Sequence, residues 1–152
     1  MGAELAPVLA IDGRCADDPG AARTAIHRIL THFTAKMASN DTADSMLFMT
    51  REQMNPSEAF DRIYSGPMGR MLGTLVELAC VATGMHDRQA ARIATLTLIG
   101  QVLVLRAGRA TSLRLLGRDA FTGDDLAQIH ARIAANTDAI LDRLTAEAQG
   151  PL

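Results

Sequence analysis

The run IATLTLIGQVLVL, Ile93 to Leu105, carries no charge and is apolar on every helical face apart from Gln101. A helix with one apolar stripe covers one side of a core, whereas a helix apolar all round needs neighbours on every side. The run is shorter than the roughly 20 residues that a bilayer crossing takes, so it predicts a buried helix rather than a membrane span. A chain of 152 residues is long enough for one domain with a sizeable core. It is short of material to surround such a helix, and part of the cover is expected from outside the chain.

Elsewhere the pattern is helical too, without the alternating β-branched runs between glycine-rich turns that mark a sheet. The fold class read from the sequence is all-α. Asp18-Pro19 supplies an N-cap and a first-turn proline for a helix to about Ala38, with Ile26, Ile29, Leu30, Phe33 and Met37 on one face. Ser39-Asn40-Asp41 ends it and caps a second helix, Thr42 to about Met54. Asn55-Pro56-Ser57-Glu58 then reads as an N-cap, a proline at the first helical position and a glutamate closing a capping box. Ser65-Gly66-Pro67 interrupts the third segment, because proline removes a backbone donor and disfavours helical geometry at the residue before it. Its second half, Met68 to Thr83, is expected to end at Gly84 in a left-handed cap.

Asp87 is placed to cap the long apolar helix, and RAGRATSLRLLGRD after it reads as a short helix ending at Gly117. The last helix opens with Thr122 as cap and Asp125 three residues on. It repeats Leu126, Ile133 and Ile140 at sevens, with His130, Thr137 and Leu144 offset by four. Two consecutive helices too apolar for their own domain suggest that a second copy of the chain covers them, pairing across a two-fold axis as a four-helix interface. The residues expected there are Leu98, Val102, Leu105, His130, Ile133, Thr137, Ile140 and Leu144. Burial of both helices inside one monomer is the alternative at this stage. The domain boundaries read as a lead-in over 1–18, a helical domain over 19–147 and a tail over 148–152.

With 15 Lys+Arg against 17 Asp+Glu the chain has no global attraction for nucleic acid or anionic membrane. Cys15 and Cys80 are far apart, and Cys80 lies in the apolar LVELACVATG, which suits reduced thiols and the cytoplasm better than a disulfide framework. The first residues, MGAELAPVLAIDGRCADDPG, have neither the basic start nor the apolar stretch of a signal peptide and read as a poorly ordered lead-in.

Chemistry has little foothold. His27 and His32 lie five apart, roughly 140° round a helix, and none of His27, His32, His86 and His130 forms an i, i+4 ligand pair. The His86-Asp87 doublet outlines a metal-dependent hydrolase only remotely, since Asp87 is explained as a cap. No nucleophile elbow, P-loop or dinucleotide turn occurs. The chain reads as a non-enzyme, with no cofactor and no metal. Its methionines are more telling, because flexible thioethers repack round varied apolar ligands as readily as they fill cores. Met46, Met49, Met54, Met68 and Met71 with Phe60 are the expected lining of a pocket, with Arg51 or Gln101 orienting the ligand. Arg51 and Glu52, adjacent in sequence, point about 100° apart on a helix and cannot pair sideways, so Glu52 needs a partner elsewhere.

Taken together, REQMNPSEAFDRIYSGPMGRML, LIGQVLVLRAGRATSLRLLG, FTGDDLAQI and NTDAIL resemble the C-terminal regulatory domain of TetR-family transcription regulators, in particular the CecR-like subgroup. The resemblance runs from about Ala21 to Leu144. It implies an all-helical, bacterial-type regulatory domain that dimerises through its last two long helices and binds small molecules in the remaining bundle. The subgroup often has a histidine before the threonine of the last motif, where this chain has Asn136 before Thr137.

The resemblance also implies a helix-turn-helix module in front, yet fewer than twenty residues precede the first helix. The expected function is therefore ligand sensing and dimerisation for a TetR-like regulator, without a DNA-binding module in this chain. The expected partners are a second copy, a small apolar or amphipathic effector, and DNA only through a module supplied elsewhere, with no membrane. The alternative is a stand-alone headless partner that forms mixed dimers with a full-length regulator.

Overall fold

The computed structural model describes residues 18–39 and 43–150, the side chains of 43–46 excepted. The regular elements among these are all helical: α1 (Pro19–Ala38), α2 (Ala43–Met54), α3 (Glu58–Ile63), a π-turn (Tyr64–Met68), α4 (Gly69–Thr83), α5 (Arg88–Ala107), α6 (Arg109–Leu116) and α7 (Gly123–Ala148). The all-α reading holds. The expected lead-in and the cap at Asn40–Asp41 lie outside the described residues.

Helix ends follow local chemistry closely. Asp18 accepts from the Gly20 amide at 2.9 Å with Pro19 in the first turn. Asp87 Oδ1 accepts from the amides of Gln89 and Ala90 at 2.8 and 3.2 Å. Thr122 and Asp125 close a capping box, each side chain accepting from the other residue's amide, at 3.1 and 2.9 Å. These contacts satisfy amides that the first turn of a helix leaves open. Gly84 and Gly117 end α4 and α6 with φ of 71° and 66°, a region that costs glycine nothing and a side chain much.

One cap differs from expectation. Ser57, not Asn55, is the N-cap of α3, its Oγ accepting from the Ala59 amide at 3.1 Å, so Pro56 precedes the helix and Glu58 is its first residue. The acid that completes this cap is Glu52 of the preceding helix. At the Ser65-Gly66-Pro67 interruption the chain makes the π-turn, with Gly66 at φ −98° and ψ −130°. The proline forces its neighbour out of helical geometry, as read.

The core is a four-helix packing. Ile26, Ile29, Leu30 and Met37 of α1 meet Met71, Leu75 and Leu78 of α4, Leu98, Val102 and Leu105 of α5, and Ile133 and Leu141 of α7. Helix α1 is the axis of this arrangement, packed against α4, α5 and α7 alike. A smaller cluster of Val76, Ala79, Met85 and Ala91, with Leu144 against it, closes the end near the α4–α5 turn. By length and composition α5 is apolar enough to cross a bilayer, a test that the 20-residue helix passes although its uncharged run is shorter. In the fold, its Ala91, Ala94, Leu98, Ile99, Val102 and Leu105 are buried against other helices of the bundle.

Candidate functional site

Two regions stand out from this frame, and the first is the methionine-bearing α2–α3 corner. Helix α2 packs mainly against α3. Its Met49 is buried, while Leu47 and Phe48 are exposed and Met54 is 79% exposed. Glu52 is held at the helix junction by the amide and hydroxyl of Ser57, and the hydroxyl above all keeps its carboxyl below the usual carboxylate range. Arg51 is exposed. Phe60 stacks on Tyr64 with ring centroids 5.9 Å apart. The π-turn then fits tightly under α4, since a Cβ on Gly69 would lie 2.1 Å from the Tyr64 carbonyl oxygen.

The residues expected to line one pocket are therefore dispersed. Met71 belongs to the main core, Met54 and Arg51 are at the surface, Gln101 is on α5, and the side chain of Met46 lies outside the described residues. Met49, Phe60 and Met68 remain at the α2–α3–α4 corner as buried or half-buried positions. The physical reason is that methionine fills a core as readily as it lines a pocket: Met71 packs into the main core, while Met54, at the end of α2, faces solvent.

The second region is the outer face of α5 and α7. Leu98, Val102, Leu105, Ile133 and Thr137, expected at a dimer interface, are enclosed by the protomer itself; His130, Ile140 and Leu144 are half-buried. The apolar residues that α5 presents outward are instead Ile93, Leu96, Leu103 and Val104, with Leu96 71% exposed. Gly100 lies in the middle of this line, with open space where a Cβ would be. Beside it runs a groove of about 750 Å³ between α5 and α7, with Gln101 and Val104 on one wall, Ala131, Arg132 and Ala135 on the other, and Leu116 of α6 at one end. Both amide atoms of Gln101 are buried without a hydrogen-bond partner among the described residues.

Polar ties fix α1 to both of the outer helices. On α7, Asp138 accepts from His27 Nε2 at 2.8 Å, and Asp142 pairs with Arg23 at 2.6 Å. At the other end of α1, Arg109 Nη1 donates to the Ala38 carbonyl at 2.8 Å while Arg106 donates to that of Ser39. The Arg109 guanidinium also sits 5.0 Å over the Phe121 ring. Carbonyls at a helix C-terminus lack partners and carry the negative end of the dipole, so two arginines are well matched there. Asp125, buried, accepts from Thr122 and faces Arg118 at 3.3 Å; the Thr122 amide, then its hydroxyl, holds the carboxyl below its ordinary range. Apart from the Thr122–Asp125 box, none of these partners was legible in the sequence, because each joins residues distant along the chain or across a loop. Gly100 inside an apolar helix was the one signal that could have marked the outward face. Among the described residues no group of three or more His, Cys, Asp or Glu could hold a metal ion.

A helical bundle with an open apolar outer face suits an interaction domain. The comparisons make this specific. The family model for the C-terminal domain of the HTH-type transcriptional dual regulator CecR matches residues 22–144, and the chain belongs to this family, a CecR-like branch of TetR-type transcription regulators. The HTH-type transcriptional dual regulator CecR of Shigella flexneri is 27% identical over 129 residues, covering 84% of this chain. The chain spans 58% of the length of that relative. The family is one of transcription regulators, not of enzymes.

Proposed function

We propose that this chain is the small-molecule-sensing and dimerisation part of a TetR-like transcription regulator acting in the cytoplasm, with DNA read by a module outside the residues described. The observation that carries the proposal is the outward line Ile93, Leu96, Gly100 and Val104 on α5. Contiguous exposed apolar surface of this kind marks an interaction site. Gly100 costs about 1 kcal/mol against alanine in a helix, a cost that a close-approaching partner helix explains. The neighbouring α7 wall offers Ala131 and Ala135, small enough for the same close approach. A second copy placed across a two-fold axis covers both helices at once and closes the assembly.

The effector site in this reading is the α2–α3–α4 corner around Met49, Phe60 and Met68, and its ligand is a small apolar or amphipathic molecule. Helix α2 packs mainly against α3, so an occupant of this corner repositions the two together. Their position reaches the dimer helices through the π-turn to α4, which packs against both α5 and α7. An effector shifts such a domain only as far as it binds one arrangement more tightly than the other.

Native mass spectrometry of the protein as purified tests both halves together. A dimer carrying added small-molecule mass is the expected spectrum, and Met49→Trp is expected to release that mass while leaving the dimer. A bare monomer, or a ligand indifferent to Met49→Trp in a folded protein, contradicts the reading.

A further inference from the structure

A small notch, lined by Leu30 and Ile133 as well as by polar side chains, lies between α1 and α7. Its walls include His27, Thr31 and Thr34 of α1 and His130 and Ala134 of α7, and its volume is about 10 Å³, the room that one water molecule requires. His130 Nε2 is buried and has no hydrogen-bond partner among the described residues. Thr34, fully buried, donates its hydroxyl hydrogen to the Leu30 carbonyl at 2.8 Å, which leaves its oxygen free to accept. His27 is already fixed through Nε2 to Asp138. The notch therefore presents one unsatisfied imidazole nitrogen, one spare acceptor and the Thr31 hydroxyl around a space of one-water size.

We propose that this notch is a binding site for a single ordered water molecule that bridges His130 on α7 to Thr34 on α1. With the His130 proton on Nδ1, the water donates one hydrogen to Nε2 and the other to Thr34 Oγ1, and accepts from Thr31. With the proton on Nε2, His130 donates to the water, which still donates to Thr34. Either tautomer gives the two to four bonds that hold a structural water. The bridge is a second polar tie between α1 and α7, beside His27–Asp138. It assigns His130 to the joint between these helices rather than to a surface shared with another chain, and it requires a small residue at Ala134.

A crystal structure of the intact chain, compared across independent copies, is the first test. The expected result is a solvent peak within hydrogen-bonding distance of both His130 Nε2 and Thr34 Oγ1 in every copy; direct bonding of Nε2 to a protein atom, or a dry notch, overturns the proposal. The second test is a double-mutant cycle with Ala134→Met, a plug of high helix propensity. Displacing the water strands the His130 nitrogen, so Ala134→Met is expected to lower the melting midpoint in the wild type and to lower it less in a His130→Leu background. Equal drops in the two backgrounds, or no drop in the wild type, contradict the bridge.

Discussion

Glu52 Oε2 accepts from both the amide and the hydroxyl of Ser57, at 3.1 and 2.7 Å, while Ser57 Oγ accepts from the Ala59 amide. This is the logic of a capping box with the acid supplied by the preceding helix instead of the third residue of the capped one. The α2–α3 corner, where an effector is proposed to act, thus hinges on one carboxylate.

Glu52→Ala is expected to open that corner locally. Amide-exchange protection at Ser57 and Ala59 falls, while the global unfolding midpoint changes little, because none of the described side chains of α2 belongs to the main core. The same loss follows acidification of the wild type. The folded-state pKa of Glu52 is lowered, so its contribution is complete above the ordinary carboxylate pKa and disappears as pH falls through the lowered value. Protection factors at Ser57 followed by NMR against pH check this; protection that persists in Glu52→Ala contradicts it.

The two glycines of α4 are expected to behave oppositely. Gly73 is exposed with open space at its Cβ position, so Gly73→Ala should stabilise the protein by about 0.5–1 kcal/mol through helix propensity. Gly69→Ala would drive a Cβ into the Tyr64 carbonyl and should destabilise by about 1–3 kcal/mol, the usual cost of overpacking. Denaturant titrations of both variants read the sign directly.

Thr122→Ala removes a cap that also bonds Asp125 and should cost about 0.5–2 kcal/mol. The loss is expected to be largest at neutral pH. Asp125 has a lowered folded-state pKa, so the contribution of its contacts is present above the ordinary Asp value and fades as pH falls through the lowered one. A cost that is the same at neutral and strongly acidic pH contradicts this coupling.

Gln101→Leu replaces a buried amide that has no partner among the described residues with a side chain of similar size. Relief of that desolvation should stabilise the protein by about 1–3 kcal/mol, measured at concentrations where association does not contribute. A destabilised variant would mean that the amide is satisfied after all.

Most of the fold was legible because its punctuation is local. Asp18, Asp87, Thr122 with Asp125, Gly84, Gly117 and the Gly66-Pro67 break each act through their own few residues, and each is where the pattern puts it. The α3 cap was misplaced by two residues since Asn55 and Ser57 are both good caps and only Glu52, reaching across the turn, decides between them. The orientation of α5 was not legible for a different reason. A helix apolar on every side has no periodic contrast, so the sequence could not say that Leu98, Val102 and Leu105 face inward while Leu96 and Val104 face out. Nor could the sequence tell one methionine's burial from another's, because Met71 in the core and Met54 at the surface carry the same side chain.

The outward face of α5 is the centre of the proposed function, and sedimentation equilibrium of the wild type against Leu96→Glu tests it most directly. Leu96 is largely exposed in the single chain, so the substitution should leave the protomer folded, as circular dichroism would verify. A wild-type dimer and a folded Leu96→Glu monomer are the expected results; a wild-type monomer, or a variant that dimerises as tightly as the wild type, would rule out this face as the dimer contact.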